Sequence, residues 1–279
     1  MSGRALSGAL GAYGDSPWQY PDFDRIEFAP RRTRYALCVF VLNEDGRLHA
    51  QLRKMRAAEG LADILVADGG SSDGSVEAGV MQPLGVRTVL VKRGPGRLGA
   101  QMRMAFAYAL SEGYQGVVVV DGNDKDDVPG ALPDFIRRLD EGCDHVQGSR
   151  YIPGGRHENT PLCRHLGVRV LHAPLLGLAS GFPYTDTTNG FRAYSRRFLE
   201  DPRVRVFREE FVGYELHYYL AIEAAQGGFR VRETPVTRVY PATGRMPTTI
   251  SPVRGNLALL KTLLCTVFRY SKRFRRLFG

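Results

Sequence analysis

Gly116-Val117-Val118-Val119-Val120-Asp121-Gly122-Asn123-Asp124-Lys125-Asp126-Asp127 is the stretch on which the reading of this chain turns. Four consecutive valines between Gly116 and Asp121 form an unbroken apolar run of strand length. A strand that is apolar on both faces belongs inside a parallel sheet covered by helices on each side. The run ends abruptly in acids. Open α/β sheets bind their ligands at the carboxyl ends of such strands, and hard oxygen donors gathered there suit a divalent cation such as Mg2+ or Mn2+. The plainer alternative is a charged turn capping the helix that begins near Pro129.

The same arrangement recurs upstream. Tyr35-Ala-Leu-Cys-Val-Phe-Val-Leu42 runs into Asn43-Glu44-Asp45-Gly46, and Asp63-Ile-Leu-Val-Ala67 runs into Asp68-Gly69-Gly70-Ser71-Ser72-Asp73-Gly74. A helical stretch from Leu48 to Glu59 lies between them. A further strand, Arg87-Thr-Val-Leu-Val91, leads through Gly94-Pro-Gly96-Arg97 into an Ala- and Met-rich helix from Leu98 to Ser111. Strands alternating with helices of this length predict βαβ units, and hence a Rossmann-like α/β fold with a mostly parallel central sheet. Any one acidic cluster reads as a strand-ending turn or helix cap. Three in succession read as a ligand site, because carboxylates converging on one edge need a cation or hydrogen-bond donors between them. A Gly-rich turn feeding a helix N-terminus, with Arg97 beside it, suits a diphosphate.

Outside this segment the pattern loosens. Residues 1–33 carry Gly, Ser, Pro and scattered aromatics without periodicity and read as an extended arm. After about residue 155 the alternation weakens, and Phe229 to Thr237 suggests mixed strand pairing in a smaller second half. No internal repeat is visible.

Composition limits the function classes. With 279 residues, 43% of them hydrophobic, the chain is long enough for a sizeable core and is not disordered. Cys38, Cys143, Cys163 and Cys265 are widely spaced and form no CxxC pair, so neither a disulfide framework nor a zinc site is indicated. No run of about 18 apolar residues exists to cross a bilayer, and Gly3, Gly8, Gly11 and Gly14 interrupt the N-terminus, which lacks a signal core. The expectation is a soluble or peripheral, intracellular protein. Its formal charge of +9 fits an anionic partner. A dinucleotide-dependent oxidoreductase would carry GxGxxG after the first strand, where this chain has Asn43-Glu44-Asp45-Gly46. A nucleic-acid partner is not expected, since the basic residues concentrate in loops and the C-terminal tail without a binding module.

Taken together, residues 35–250 resemble the family 2 glycosyltransferases of GT-A fold, closest to the dolichyl- and polyprenyl-phosphate hexosyltransferases. Phe40-Val-Leu-Asn43-Glu44 is similar to the family's Pro-x-x-Asn-Glu, with Phe40 in place of proline. Val66-Ala-Asp68-Gly-Gly-Ser-Ser-Asp73-Gly74-Ser75 matches its second motif. Asp121-Gly122-Asn123 stands where the family has Asp-x-Asp. Gln147-Gly-Ser149-Arg150-Tyr151 and Asp186-Thr-Thr-Asn189-Gly190-Phe191-Arg192 resemble its later motifs. The resemblance divides the chain into an arm (1–33), a transferase domain (34–250) and a C-terminal helix (251–279).

The resemblance implies an inverting transferase that moves a hexose from a nucleoside diphosphate sugar to a polyprenyl phosphate. It implies a divalent metal, Mg2+ or Mn2+, on Asp121 with Asn123 or Asp124. Nucleotide-sugar contacts would fall to Asn43, Glu44, Asp68, Gly69, Ser71, Asp73, Arg97, Gly122 and Arg245. Arg150 would lie by the phosphates, and Asn189, Arg192 and Arg238 would form the acceptor side. A phosphate acceptor needs no strong base; a sugar hydroxyl, as in surface-polysaccharide synthesis, would need a carboxylate such as Glu215 or Asp186. A third reading is a nucleotide-binding protein of this fold without activity, suggested by Phe40 and Asn123. In residues 257–278 apolar side chains follow a helical face and Lys/Arg lie mainly off it. That pattern suits either peripheral contact with the inner face of the membrane or packing on the core.

Overall fold

A computed structural model of the chain describes residues 4–7, 18–241 and 254–278. In chain order the strands and helices are β1 (Arg4–Ser7), β2 (Phe23–Glu27), β3 (Tyr35–Val41), α1 (Asp45–Met55), β4 (Asp63–Asp68), α2 (Ala78–Met81), β5 (Val86–Lys92), α3 (Leu98–Ser111), β6 (Gly116–Asp121), α4 (Val128–Asp140) and β7 (His145–Ser149). There follow β8 (Arg156–Glu158), α5 (Leu162–Leu166), a π-helical turn (Gly167–His172), α6 (Ala173–Ser180), β9 (Arg192–Ser195), α7 (Arg196–Glu200), α8 (Glu215–Gln226), β10 (Val231–Pro235), β11 (Thr237–Val239), α9 (Arg254–Tyr270) and α10 (Lys272–Phe278).

Nine strands form one sheet in the order β1-β2-β5-β4-β3-β6-β9-β7-β10. Strands β5, β4, β3 and β6 are mutually parallel, as the continuous apolar runs require. β9 is antiparallel to both its neighbours, and β8 pairs with β11 in a small second sheet, so the later half is mixed as expected. Alternate side chains serve opposite cores. Val117 and Val119 join the layer built with α3, α6, α8 and α9, while Val118 and Val120 join the layer built with α1 and α4. All four valines are fully buried, and each contributes roughly 1.5–3 kcal/mol of burial.

Two regions depart from expectation. The stretch read as an arm enters the sheet: β2 runs antiparallel to β5, with Phe23 paired to Lys92 and Glu27 to Thr88. Five residues long and mostly half-buried, with β1 paired on its outer side, β2 carries little periodic signal, and Trp18 stacks on Phe207 at 4.2 Å to hold the approach. The C-terminal helix is two helices. Ser271 breaks it, its hydroxyl accepting from the Phe274 amide at 2.9 Å as a fresh N-cap. Leu263, Val267 and Phe274 are buried in the core, whereas Leu257, Phe268, Leu277 and Phe278 are exposed.

Candidate active site

The acidic clusters meet because the parallel register aligns the strand ends. Val41 pairs with Asp68 and Phe40 with Asp121 across three adjacent strands. Gln101 of α3 clamps two of them, its Nε2 donating to the carbonyls of Val41 (2.9 Å) and Ala67 (3.1 Å). Gln51 of α1 fixes the third loop: its Nε2 donates to the Asp121 carbonyl (2.9 Å) and its Oε1 accepts the Asp124 amide (2.7 Å). At Gly122 an added Cβ would lie 2.4 Å from Val41 Cγ1, so only glycine fits against β3.

Several residues expected to touch nucleotide are engaged in shaping the loops. Asp68 is fully buried and accepts from the amides of Gly70 (3.0 Å) and Ser71 (2.9 Å) and from the Ser71 hydroxyl. Asn43, at φ +54, accepts from the Ser72 amide at 2.8 Å, and its own amide donates to Ser71 Oγ at 2.9 Å. Asp73 accepts from Ser75 and from the Asp45 amide; against the upward pull of burial, these bonds hold its carboxyl at about 2. Glu44 stays half-buried at the edge, ion-paired to Arg47 at 3.0 Å, with burial raising its carboxyl above the usual range. Gly69 packs under Gln101. Arg97 is exposed at the start of α3. Arg245 lies outside the described residues.

The loop after β6 is densely charged. Asp121 keeps a third of its side chain exposed, with Oδ2 3.5 Å from Arg238 Nη2 and 3.5 Å from Asn123 Nδ2. Asn123 is buried, and its Oδ1 has no protein partner. Asp124, at φ +56, turns toward α1 and gives both carboxylate oxygens to Lys54 Nζ at 2.8 Å each. Asp126 is sealed and paired with Arg238; burial raises its carboxyl and Arg238 opposes. Asp127 caps α4 through the Gly130 amide at 3.1 Å. Lys125 is 4% exposed among them. Burial and Arg238 hold its ammonium below the usual value, against the attraction of Asp121.

These residues fit a divalent metal poorly. The expected alternative ligand, Asp124, is committed to Lys54, and Asp126 to Arg238. What remains for a cation is the Asp121 carboxylate, which faces a guanidinium, and the amide oxygen of Asn123.

The later motifs converge on the same edge. Gly190 lies against Asp121, an added Cβ meeting Oδ1 at 3.2 Å. Arg150 is not open to a ligand on its forked face: it holds Asp186 through Nε (2.6 Å) and Nη2 (2.9 Å). Although burial acts to raise Asp186, Arg150 brings it below the usual range, which makes it a weak base. Asn189 caps its own turn by accepting the Phe191 amide at 2.9 Å. Arg192, fully buried, donates to the carbonyls of Asn189 (3.1 Å), Thr187 (2.8 Å) and His217 (2.8 Å), bracing the 187–189 loop against α8 rather than facing an acceptor. Glu215 turns back on its own helix start and accepts the Val212 and Gly213 amides, each at 2.6 Å. His217 packs against Tyr194 and Tyr214.

Tyr240, absent from the expected set, stands at the centre of the positive charge. Its hydroxyl accepts from Arg164 (3.0 Å), and Lys125 and Arg238 lie 5.4 and 5.7 Å from its ring. Burial acts to raise the phenol, yet Arg238, Arg164 and Arg150 bring it down to about 8. Four cations here face three carboxylates, Asp121, Asp126 and Asp186. Tyr240 carries no motif signal, and Arg164 sits on a helix 76 residues away, so only the fold unites them.

Known proteins share this fold. The family description Glycosyl transferase family 2 matches residues 37–202. A polyprenol monophosphomannose synthase from Mycolicibacterium smegmatis is 33% identical over 62% of this chain, and the chain spans 65% of that relative's length. An undecaprenyl-phosphate mannosyltransferase from Micrococcus luteus is 29% identical over 72% of this chain and 82% of its own. The fold matches glucosyl-3-phosphoglycerate synthase from Mycobacterium tuberculosis, solved with Mn2+ and uridine diphosphate, at a TM-score of 0.60 and 17% identity, covering 86% of this chain and 80% of that one. The expected GT-A fold is therefore the observed one, and the chain belongs to glycosyl transferase family 2.

Proposed function

We propose that the protein transfers a hexose from a nucleoside diphosphate sugar to a polyprenyl phosphate, with inversion at the anomeric carbon. The observation that carries this reading is the group of Lys125, Arg164 and Arg238 around Tyr240, beside the exposed carboxylate of Asp121. Such a site neutralises clustered phosphates. The names of the relatives support the acceptor class.

An oxygen of the acceptor phosphate attacks the anomeric carbon from the face opposite the leaving group. The bond between that carbon and the donor diphosphate breaks, and its electron pair departs on the diphosphate. The guanidinium and ammonium groups already in place stabilise the charge that develops there. The nucleophile is ionised before it binds, so no base is required. This agrees with the commitments of the two expected bases, Asp186 to Arg150 and Glu215 to the amides of its own helix start. An acceptor hydroxyl would need a base that neither residue supplies.

Contact with a membrane surface follows from the acceptor class. No helix among the described residues is long and apolar enough to cross a membrane. Exposed Leu257, Phe268, Leu277 and Phe278 sit among exposed Lys261, Arg269, Lys272, Arg273, Arg275 and Arg276, a composition suited to peripheral attachment on anionic lipid. The test is incubation with a panel of radiolabelled nucleoside diphosphate hexoses and vesicles doped with polyprenyl phosphate. Label from one donor entering the organic phase supports the reading; label in none, or only in water-soluble glycan, overturns it.

A further inference from the structure

Where the resembling family has Asp-x-Asp, this chain has Asp121-Gly122-Asn123, one negative charge fewer. Arg238 lies 3.5 Å from the carboxylate that remains, and Lys125 stands over the Tyr240 ring that Arg238 also flanks. Arg238 spans Asp121 and Asp126, and Lys125, two residues after Asn123, is buried in the same loop with Asp121 as its attractive neighbour. Both cations are held by backbone as well as by charge. Arg238 forms a β-bridge with Asp126, and the Val239 amide donates to the Lys125 carbonyl at 2.8 Å, so β11 is stitched to the loop that carries Asp121. Asp124 cannot compensate for Asn123, because Lys54 and Gln51 turn it to the other side.

We propose that Lys125 and Arg238 carry the positive charge that a divalent cation supplies to an Asp-x-Asp site, so that the donor diphosphate binds and departs without a metal ion. This rests on the reading of the site as one for a nucleoside diphosphate sugar. Fixed cations in a water-poor site need no reorganisation when charge develops on the leaving group. They also account for the missing carboxylate: a second acid at position 123 would draw a dication into a place already held by a guanidinium and an ammonium.

The experiment is binding of UDP, GDP, CDP and dTDP to the full chain by calorimetry and thermal shift, in EDTA and again in Mn2+. The expected result is that one nucleotide binds in both conditions with dissociation constants within about threefold. Binding in Mn2+ that weakens tenfold or more in EDTA overturns the proposal and leaves the transferase reading intact. Binding in neither condition overturns both. Lys125→Gln should weaken binding on the order of tenfold in EDTA with no rescue by Mn2+. The double variant Asn123→Asp with Lys125→Gln should bind in Mn2+ and lose that binding in EDTA; a double variant indifferent to Mn2+ counts against the exchange of charges.

Discussion

Arg150 grips both carboxylate oxygens of Asp186, at 2.6 and 2.9 Å, with the two side chains 1% and 0% exposed. A pair sealed in this way cannot lose one member cheaply, because the survivor is left charged in the interior. Asp186→Ala should therefore destabilise the protein by about 3–5 kcal/mol in urea unfolding, and Arg150→Met with Asp186→Leu should recover much of that loss. A cost under about 1 kcal/mol for Asp186→Ala would mean that the pair is not maintained in solution.

Glu215 accepts two backbone amides at the start of α8. A glutamine keeps an acceptor oxygen there, so Glu215→Gln should leave the transfer rate within about twofold at every pH. Glu215→Ala should cost about 1 kcal/mol of stability through the lost hydrogen bonds to the loop before α8. A loss of two or more decades in rate for Glu215→Gln would restore Glu215 as a base.

At Gly122 even a methyl group collides with Val41 at 2.4 Å. Gly122→Ala should lower stability by about 1–3 kcal/mol and weaken nucleotide binding with it, since the residue sets the path of the loop that bears Asp121. Thermal melting with and without nucleotide measures both. An unchanged melting point would show that the loop yields at no cost.

His145 and His217 are fully buried, and burial, reinforced by Arg192, holds both rings neutral with pKa values well below the ordinary 6.5. Below pH 6.5 the unfolded chain takes up protons that the folded one refuses. Stability should thus be intact above that value and fall as pH drops beneath it, by up to about 1.4 kcal/mol per pH unit for each ring. Urea midpoints between pH 8 and 5 read the slope, and His217→Gln should reduce it. A midpoint constant across that range would contradict the burial of neutral rings.

The parallel strands and the placing of Asp68 and Asp121 at their ends were legible because burial on both faces writes itself as an unbroken apolar run, and the acid that ends each run is adjacent in sequence. Side-chain commitments were not legible. Asp186 and Arg150 are 36 residues apart, and nothing local distinguishes a carboxylate awaiting a substrate from one already held. Arg192 read as an acceptor contact, yet it braces the carbonyls of Asn189, Thr187 and His217, partners with no side-chain signature. Asp124 read as a ligand until its positive φ turned it to Lys54. At the N-terminus, β2 hid among scattered aromatics because its five residues are mostly half-buried and show no alternation of apolar and polar side chains.

The proposed transfer depends on an acceptor that is already ionised. With the donor identified, transfer to a polyprenyl phosphate should be compared with transfer to the free polyprenol of the same chain length, across pH 6 to 9. Product from the phosphate alone, with a rate that does not climb in proportion to hydroxide, is the expected result. Equal transfer to the free alcohol would require a base, a role for which neither Asp186 nor Glu215 is free, and would contradict it.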